Sequence, residues 1–175
     1  HNTHVELLGG ELRTVYAGGY AGNVEGDTYL ETGGEAWDAP RHAEGNPTIR
    51  RSAYGGGEMA KVTGTAKVDM WNGHVGYYYD DAAADKYVKE LDLRKEGDNL
   101  LKENGNLYGA GYGVGAVVMK TQVNLYDGVI RNGLYGGAEI ATVGEGSVKL
   151  ENNKYVLDQY IKGGETTVRM YGGLV

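Results

Sequence analysis

The 175-residue chain contains no cysteine, which removes two classes of small protein from consideration. A disulfide framework and a thiolate metal site both need cysteine, so packing and hydrogen bonds have to hold this fold together. The compartment stays open, because many secreted repeat proteins gain stability from stacking instead of cross-links.

Long apolar runs and basic clusters are also missing. No stretch approaches the ~20 apolar residues that a membrane-spanning helix needs, and we expect any signal peptide to have been removed or to lie outside this sequence. The formal net charge is -7 and the Lys and Arg residues are scattered, which argues against a phosphate-binding surface. We therefore expect neither a membrane span nor a nucleic-acid partner.

Phenylalanine is absent and proline is rare, whereas glycine and tyrosine are abundant. The chain has no Phe and 2 Pro, against 31 Gly and 15 Tyr. An interior glycine costs a helix roughly 1 kcal/mol relative to alanine. A chain with this much glycine, and with Val, Thr and Tyr in period-two alternation, is therefore predicted to be mainly strand and turn.

One short pattern recurs along the chain. It consists of an apolar residue, a second one two positions on, a glycine five positions on and another apolar residue seven positions on. Close copies begin at Val5, Val68, Val123 and Val168, and looser copies begin at Tyr29 and Val148. The glycine, such as Gly128, is expected to mark a bend, since corners need a positive φ or close backbone approach. In the looser copy at Val148, Asn153 takes the place of glycine.

A second pattern alternates with the first. It has a tyrosine, small residues directly after it and an apolar residue eight positions on, such as Val24, Val62 or Val143; after Tyr108 that place falls to Ala116 or Val117. Its tyrosines are Tyr16, Tyr54, Tyr108, Tyr135 and Tyr160. We expect these tyrosines to recur once per coil and to form a stacked column with a structural role.

The patterns repeat about every 25 residues, a spacing typical of stacked repeat architectures. Two longer intervals indicate insertions. The first, 37–52, carries both prolines and alternating charge and is predicted to be a surface loop. The second, 77–105, is predicted to be a helical flap with a helix at about 80–96, which starts near Asp80 and packs on the flank of the stack.

These features predict an all-β fold, a parallel β-helix or solenoid of about six coils in a single domain, 1–175. Equivalent strands of successive coils would lie ~4.8 Å apart, with corresponding residues stacked in ladders. The predicted core ladders are Val5, Val68, Val123, Val148 and Val168; Leu7, Met70, Leu125, Leu150 and Met170; and Leu12, Val75, Ile130 and Val175.

The chain resembles the large adhesin-like surface proteins of bacteria and some archaea. Their repeats carry Tyr-Gly-Gly-Gly followed by a Thr-x-Val-x-Leu-x-x-Gly strand. Here Tyr54-Gly55-Gly56-Gly57 precedes Val68-Asp69-Met70-Trp71-Asn72-Gly73, and Tyr135-Gly136-Gly137 precedes Val148. The resemblance covers most of the chain except the two insertions. The resemblance implies a β-helical fold, an extracellular or cell-surface location, and a role in attachment or in building a surface layer or fibre.

The two ends carry the same strand type, and neither has an obvious cap. Unpaired strand edges recruit other strands, and repeat proteins normally need distinct caps to stay soluble. We hypothesise that the first strand, with Thr3, Val5 and Leu7, docks on Val168 and Met170 of another copy. Such head-to-tail contacts do not close and would give a filament. A piece cut from a longer repeat array would have the same open ends.

No catalytic, cofactor or metal-binding signature is visible, so we expect a non-catalytic protein without a cofactor. The alternative is a carbohydrate-binding or polysaccharide-degrading protein, because aromatic faces stack on sugar rings. Trp71, Tyr77, Tyr78 and Tyr79 form the predicted aromatic cluster for surface glycans.

An enzyme of that kind would need paired carboxylates. Asp38, Asp127 and Glu145 are the candidates, but the sequence does not show which of them would come together.

Overall fold

The fold is a parallel β-helix, seen in a computed structural model that describes residues 1–34, 47–76 and 105–175. All regular structure within those ranges is β-strand, as the glycine content and the alternation predict. The strands are β1 (Thr3–Leu7), β2 (Glu11–Leu12), β3 (Val15–Tyr16), β4 (Thr28–Thr32), β5 (Thr48–Ile49), β6 (Ala53–Tyr54), β7 (Val62–Met70), β8 (His74–Val75), β9 (Asn106–Tyr108), β10 (Val118–Leu125), β11 (Val129–Ile130), β12 (Gly133–Tyr135), β13 (Glu145–Glu151), β14 (Lys154–Lys162) and β15 (Glu165–Met170).

Three parallel sheets form the walls of the helix. Sheet A has the order β1-β4-β7-β10-β15, sheet B has β2-β5-β8-β11, and sheet C has β3-β6-β9-β12. Each of the first four coils contributes one strand to each wall, and β15 begins a fifth coil. Neighbouring strands within each wall are parallel and come from successive coils. The predicted fold class is therefore confirmed.

The core lies inside the walls, where alternate residues of each strand point inward. In sheet A, Val68 pairs with Val123 and Met70 with Leu125, and all four side chains are fully buried. Sheet B contributes a column of Leu12, Ile49, Val75 and Ile130, and sheet C one of Val15, Ala53, Leu107 and Leu134. In the second pattern it is thus the residue before each tyrosine that faces the core.

After β1, β7, β10 and β15 the bend is made by the glycine that the first pattern predicts, whereas after β4 it is made by Gly33 (φ 73°) instead of the predicted Gly34. Gly10, Gly73, Gly128 and Gly173 have positive φ angles of 82°, 118°, 103° and 81°. In the interior of the stack the bend also touches the neighbouring coil, because a Cβ on Gly128 would lie 2.6 Å from the carbonyl oxygen of Gly73. Both reasons for expecting glycine at this corner therefore hold.

A fourth column closes the coil between sheet C and the next strand of sheet A. It is a series of parallel bridges that joins Val24, Val62, Val118 and Val143. In the third coil Val118 occupies the place predicted for Ala116 or Val117. We call this series the corner column.

Polar side chains also reach into the coil. The hydroxyls of Thr28 and Thr121 each donate a hydrogen bond at 2.5 Å to the carbonyl oxygen of a glycine after a sheet C strand, Gly55 and Gly136 respectively. Thr3 makes the equivalent bond to Ala17. These bonds satisfy carbonyl groups that the tight corners leave without a strand partner.

The Val148 unit is not a coil, so its prediction is wrong. Strands β13 and β14 form an antiparallel hairpin in which Val148 faces Leu157 and Leu150 faces Tyr155. Asn152 and Asn153 make its two-residue turn with φ angles of 50° and 60°, as a type I′ hairpin turn requires. The described residues therefore contribute five strands to sheet A rather than six.

The Tyr29 unit belongs to the stack, but its predicted register is wrong by one residue. Leu30 pairs with Val5 and Val68, whereas Tyr29 pairs with His4 on the outer face. A slip of one residue exchanges the two faces of a strand, which is why Glu31 seemed to break the pattern.

The loop predicted at 37–52 ends earlier than expected. Thr48 and Ile49 form β5 in sheet B, and Ile49 and Ser52 are buried. Residues 35–46 and 77–104, which include the predicted helix at about 80–96, lie outside the described residues.

Candidate functional site

The outer face of sheet A carries a hydrogen-bonded polar network. Its centre is Asp69, a buried carboxylate that accepts hydrogen bonds from the Tyr29 hydroxyl and the Asn124 amide, both at 2.7 Å. The Lys67 ammonium lies 2.6 Å from the same carboxylate. Both oxygens of Asp69 are therefore engaged, and the side chain serves as a fixed hub of the network.

Glu31, one coil earlier, holds a second part of this network. Its carboxylate accepts a hydrogen bond from the Trp71 indole at 2.9 Å and lies 3.4 Å from Nε2 of His4. The His4 ring stacks on the Tyr29 ring with centroids 4.6 Å apart. The Lys67 ammonium also lies over the Tyr29 ring, 4.7 Å from its centroid.

Tyr29 is held as a hydrogen-bond donor. Burial, and then the hydrogen bond to Asp69, raise the pKa of its hydroxyl far above the usual range. A tyrosine in this environment keeps its proton, so it does not act as a base. The network thus links the side chains of neighbouring coils on the outer face of sheet A.

An aromatic ladder runs beside the network. Trp71 stacks on Tyr126 with centroids 3.8 Å apart, and Tyr126 stacks on Tyr171 at 5.0 Å. The rings therefore cover one another and present mainly their edges to solvent. A sugar needs a free ring face, and the clearest free face is the outer one of Tyr171, at the end of the ladder.

The predicted tyrosine column is confirmed for four of its five members. Tyr16, Tyr54, Tyr108 and Tyr135 stack with centroids 4.7, 5.1 and 5.0 Å apart. Tyr160 is the exception, because it lies in the hairpin, where its exposed hydroxyl donates to the carbonyl oxygen of Gly163.

The tyrosine column is anchored by one carboxylate. The Tyr54 hydroxyl donates a hydrogen bond to Glu139 at 2.5 Å. Burial raises the pKa of Tyr16, Tyr54 and Tyr108, and the carboxylate of Glu139 adds to the effect. These three tyrosines therefore keep their protons to a higher pH than an exposed tyrosine does.

The last coil leaves core positions open. Val168 and Met170 continue the ladders of Val123 and Leu125, yet they are 43% and 53% exposed. Leu174 and Val175, at the sheet B end of this coil, are also exposed. Together with the outer face of Tyr171 they form an apolar surface, which we call the C-terminal end surface.

The opposite end of the stack is β1, the other edge strand of sheet A. The predicted docking residues Thr3, Val5 and Leu7 point inward from it and are partly buried. The structure therefore places the five predicted self-association residues on the two edge strands of one sheet.

Of the remaining predicted carboxylates, the structure places Asp127 and Glu145. Asp127 accepts a hydrogen bond from the amide of Gly128 at a bend, and Glu145 pairs with Lys162 at the base of the hairpin. Asp38 and Tyr77–Tyr79 lie outside the described residues, so of the predicted glycan cluster only Trp71 is placed. The Asp69 network was missed, although the alternation of polar residues in β4, β7 and β10 marks their outer face.

Comparison with protein-family models, curated proteins and solved structures gives no match. Across the ranges that the structure covers, no helix has the length and apolarity to cross a membrane. No group of three or more His, Asp or Glu residues there is arranged to hold a metal ion.

Proposed function

We propose that this chain is a non-catalytic structural protein of an extracellular or cell-surface layer, which associates head to tail through its open coils. The observation that carries the proposal is the exposure of Val168 and Met170 at core positions. Exposed apolar surface of this kind marks interaction sites, and the free edge of β15 adds unpaired backbone groups.

The register of sheet A, continued by one coil, matches apolar residues with apolar residues. β1 of a second copy on β15 of the first would place Val5 on Val168, Leu7 on Met170 and Leu8 on the free face of Tyr171. The first two pairings are of the kind that interior coils make, such as Val68 with Val123 and Met70 with Leu125.

The outer face adds complementary charge. One outward column of sheet A contains Glu6 at β1 and Arg169 at β15, with Glu31, Asp69 and Asn124 between them. In the continued register Arg169 would face Glu6 of the second copy. An exposed pair of this kind adds little binding energy, but it favours the correct register over a slipped one.

Contacts of this type join two different surfaces and do not close, so they support a filament or a longer array. The adhesin-like resemblance of the Tyr-Gly-Gly-Gly repeats supports the same role and a location at the cell surface. The carbohydrate alternative has weaker support, because Trp71 and Tyr126 cover each other's ring faces.

A charge exchange tests the proposal. Arg169→Glu and Glu6→Arg are each expected to weaken self-association, and the double variant is expected to restore it, because both contacts are reversed together. Lys154→Glu, with the same change of charge on an exposed hairpin residue, is the control. Light scattering over a concentration series and electron microscopy of filaments give the readout; a wild-type protein that stays monomeric at every concentration refutes the proposal.

A further inference from the structure

The β13–β14 hairpin has one entirely apolar face. The cross-strand pairs place Val148, Leu150, Tyr155, Leu157 and Tyr160 on the same side. The other side is mainly polar, with the 3.7 Å ion pair between Lys149 and Asp158 and the nearby Ser147, although Val156 also lies there, opposite Lys149. Such a division is expected of a strand pair that covers something apolar.

Most of this apolar face is uncovered. Leu150 and Leu157 are 59% and 61% exposed, and Tyr155 and Tyr160 are exposed as well. A two-stranded hairpin is marginally stable alone and usually gains its stability from packing against another surface. Within the part of the chain that the structure describes, the hairpin therefore has no partner over most of its apolar face.

The hairpin leaves the stack directly after the corner column. It starts two residues after Val143, the last member of the corner column, and its far end leads through Gly163 and Gly164 into β15. The hairpin is therefore rooted at the corner column and adjoins the C-terminal end surface.

The same corner carries a second exposed apolar strip nearer the other end of the stack. Tyr20, Met59 and Val114 precede the corner residues Val24, Val62 and Val118 by three or four positions in their coils. Tyr20 and Met59 are adjacent, because the amide of Met59 donates to the carbonyl oxygen of Tyr20 at 2.9 Å. All three side chains are exposed. We call them the corner strip.

We infer that the apolar face of the hairpin packs on the corner strip of a second copy of this chain. The inference rests on the proposed head-to-tail contact, in which the corner column of the second copy lies in line with that of the first, two coil levels beyond Val143. The hairpin then starts at the edge along which the second copy presents its corner strip.

The dimensions are compatible with this contact. A nine-residue strand such as β14 is about 30 Å long, and coils follow one another every ~4.8 Å. The hairpin is therefore long enough to pass the first three coils of the second copy, which hold Tyr20, Met59 and Val114. It would add side-by-side contact to the end-to-end contact and hold the joint together.

Cysteine crosslinking tests the contact cleanly, because the chain has no cysteine of its own. One preparation carries Leu157→Cys and another Met59→Cys, and the two are mixed and treated with a short bismaleimide. Crosslinked dimer is expected. Gln159→Cys, which lies on the polar face of the same strand, replaces Leu157→Cys in the control, and the product is expected to be lost.

A second pair reports on the end contact separately. Arg169→Cys mixed with Glu6→Cys is expected to crosslink if copies meet head to tail. If this pair crosslinks and the Leu157–Met59 pair does not, the hairpin inference is overturned while the proposed function stands. If neither pair crosslinks, the proposed function and the hairpin inference are both overturned. If Leu157→Cys crosslinks mainly with itself, hairpins of two copies pair with each other, and the hairpin inference is overturned.

Discussion

Two strands of sheet A with nearly the same inward residues have opposite surroundings. In β7, Val68 and Met70 are completely buried between the strands of two neighbouring coils. In β15, Val168 and Met170 occupy the same ladders but have a neighbour on one side only, and about half of each side chain is exposed. Because the inward residues of the two strands are nearly the same, their burial depends on the position of the strand in the stack.

This difference follows from the one-dimensional nature of a solenoid. The strands of each coil pair only with those of the coils before and after it, so its stability is approximately the sum of its own folding and two interfaces. An end coil has lost one of those interfaces. The same side chains that form the core in the middle of the stack are thus partly exposed at its end.

The bend glycines give the strongest way to test the comparison between interior and end. Gly128 lies in the interior with a φ of 103°, and a Cβ there would meet the Gly73 carbonyl oxygen and the Met70 methyl group, both at 2.6 Å. Gly10 has the same role in the first coil with a φ of 82°, but a Cβ there would meet nothing within 4 Å. Gly128→Val therefore adds a clash to the backbone strain, whereas Gly10→Val adds strain alone.

We expect Gly128→Val to lower the free energy of unfolding by about 4 kcal/mol or more, and Gly10→Val by about 2 kcal/mol. Gly137→Val is the control, because a Cβ there has open space and its φ is not positive; a change within about 0.5 kcal/mol is expected. Urea denaturation measures all three. Equal losses at Gly128 and Gly10 would show that contact between coils at the bend is unimportant.

Two methionines in one ladder allow the next comparison. Met70→Ala removes a fully buried side chain and is expected to cost about 3 kcal/mol, from lost burial and the cavity left behind. Met170→Ala removes the same atoms from a half-exposed position and is expected to cost less than about 1 kcal/mol in the monomer. Chemical denaturation at low protein concentration gives both values. Similar losses would mean that β15 is covered in the isolated chain.

The stack itself could be predicted because its signals are local and repeated. Period-two alternation placed the core residues of β7 and β10, and the bend glycines fixed the register of Val68 against Val123. The tyrosine column followed from the same repeat. These features depend on one coil resembling the next, and a single sequence displays that resemblance.

The hairpin was mistaken for a coil because both use alternating strands. Val148 and Leu150 satisfy the same pattern as Val123 and Leu125, and Asn153 adopts the positive φ that glycine usually supplies. The Asn152–Asn153 pair between two alternating segments was the signal for a two-residue hairpin turn. Periodicity alone does not distinguish pairing with the next strand from pairing with an equivalent strand one coil away.

The candidate surfaces were predictable only in part. The edge residues Val5 and Val168 followed from their positions in the repeat. The Asp69 network joins residues from different coils, separated by 40 and 55 positions. Predicting it requires the correct register of each strand, and the predicted register of the Tyr29 strand was wrong by one residue. The apolar face of the hairpin depends on antiparallel pairing, which the repeat pattern concealed.

The smallest expected effect at moderate pH concerns the tyrosine column. Burial raises the pKa of Tyr16, Tyr54 and Tyr108 above the value of about 10 that tyrosine has in an unfolded chain. Below about pH 10 both states keep these protons, and the stability that the column provides is complete.

As the pH rises above about 10, the unfolded chain releases tyrosine protons that the folded column retains, so unfolding becomes progressively more favourable. The free energy of unfolding is therefore expected to be flat up to about pH 10, as far as these groups are concerned, and to fall above it. Urea denaturation across this range measures the slope. Tyr54→Phe removes one of the titrating groups and should make the slope shallower, even though the variant loses the hydrogen bond to Glu139 at every pH. Because the column is shielded by stacking between coils, a slope that Tyr54→Phe leaves unchanged would mean that this interior ring is no better protected than a ring at the end of the stack.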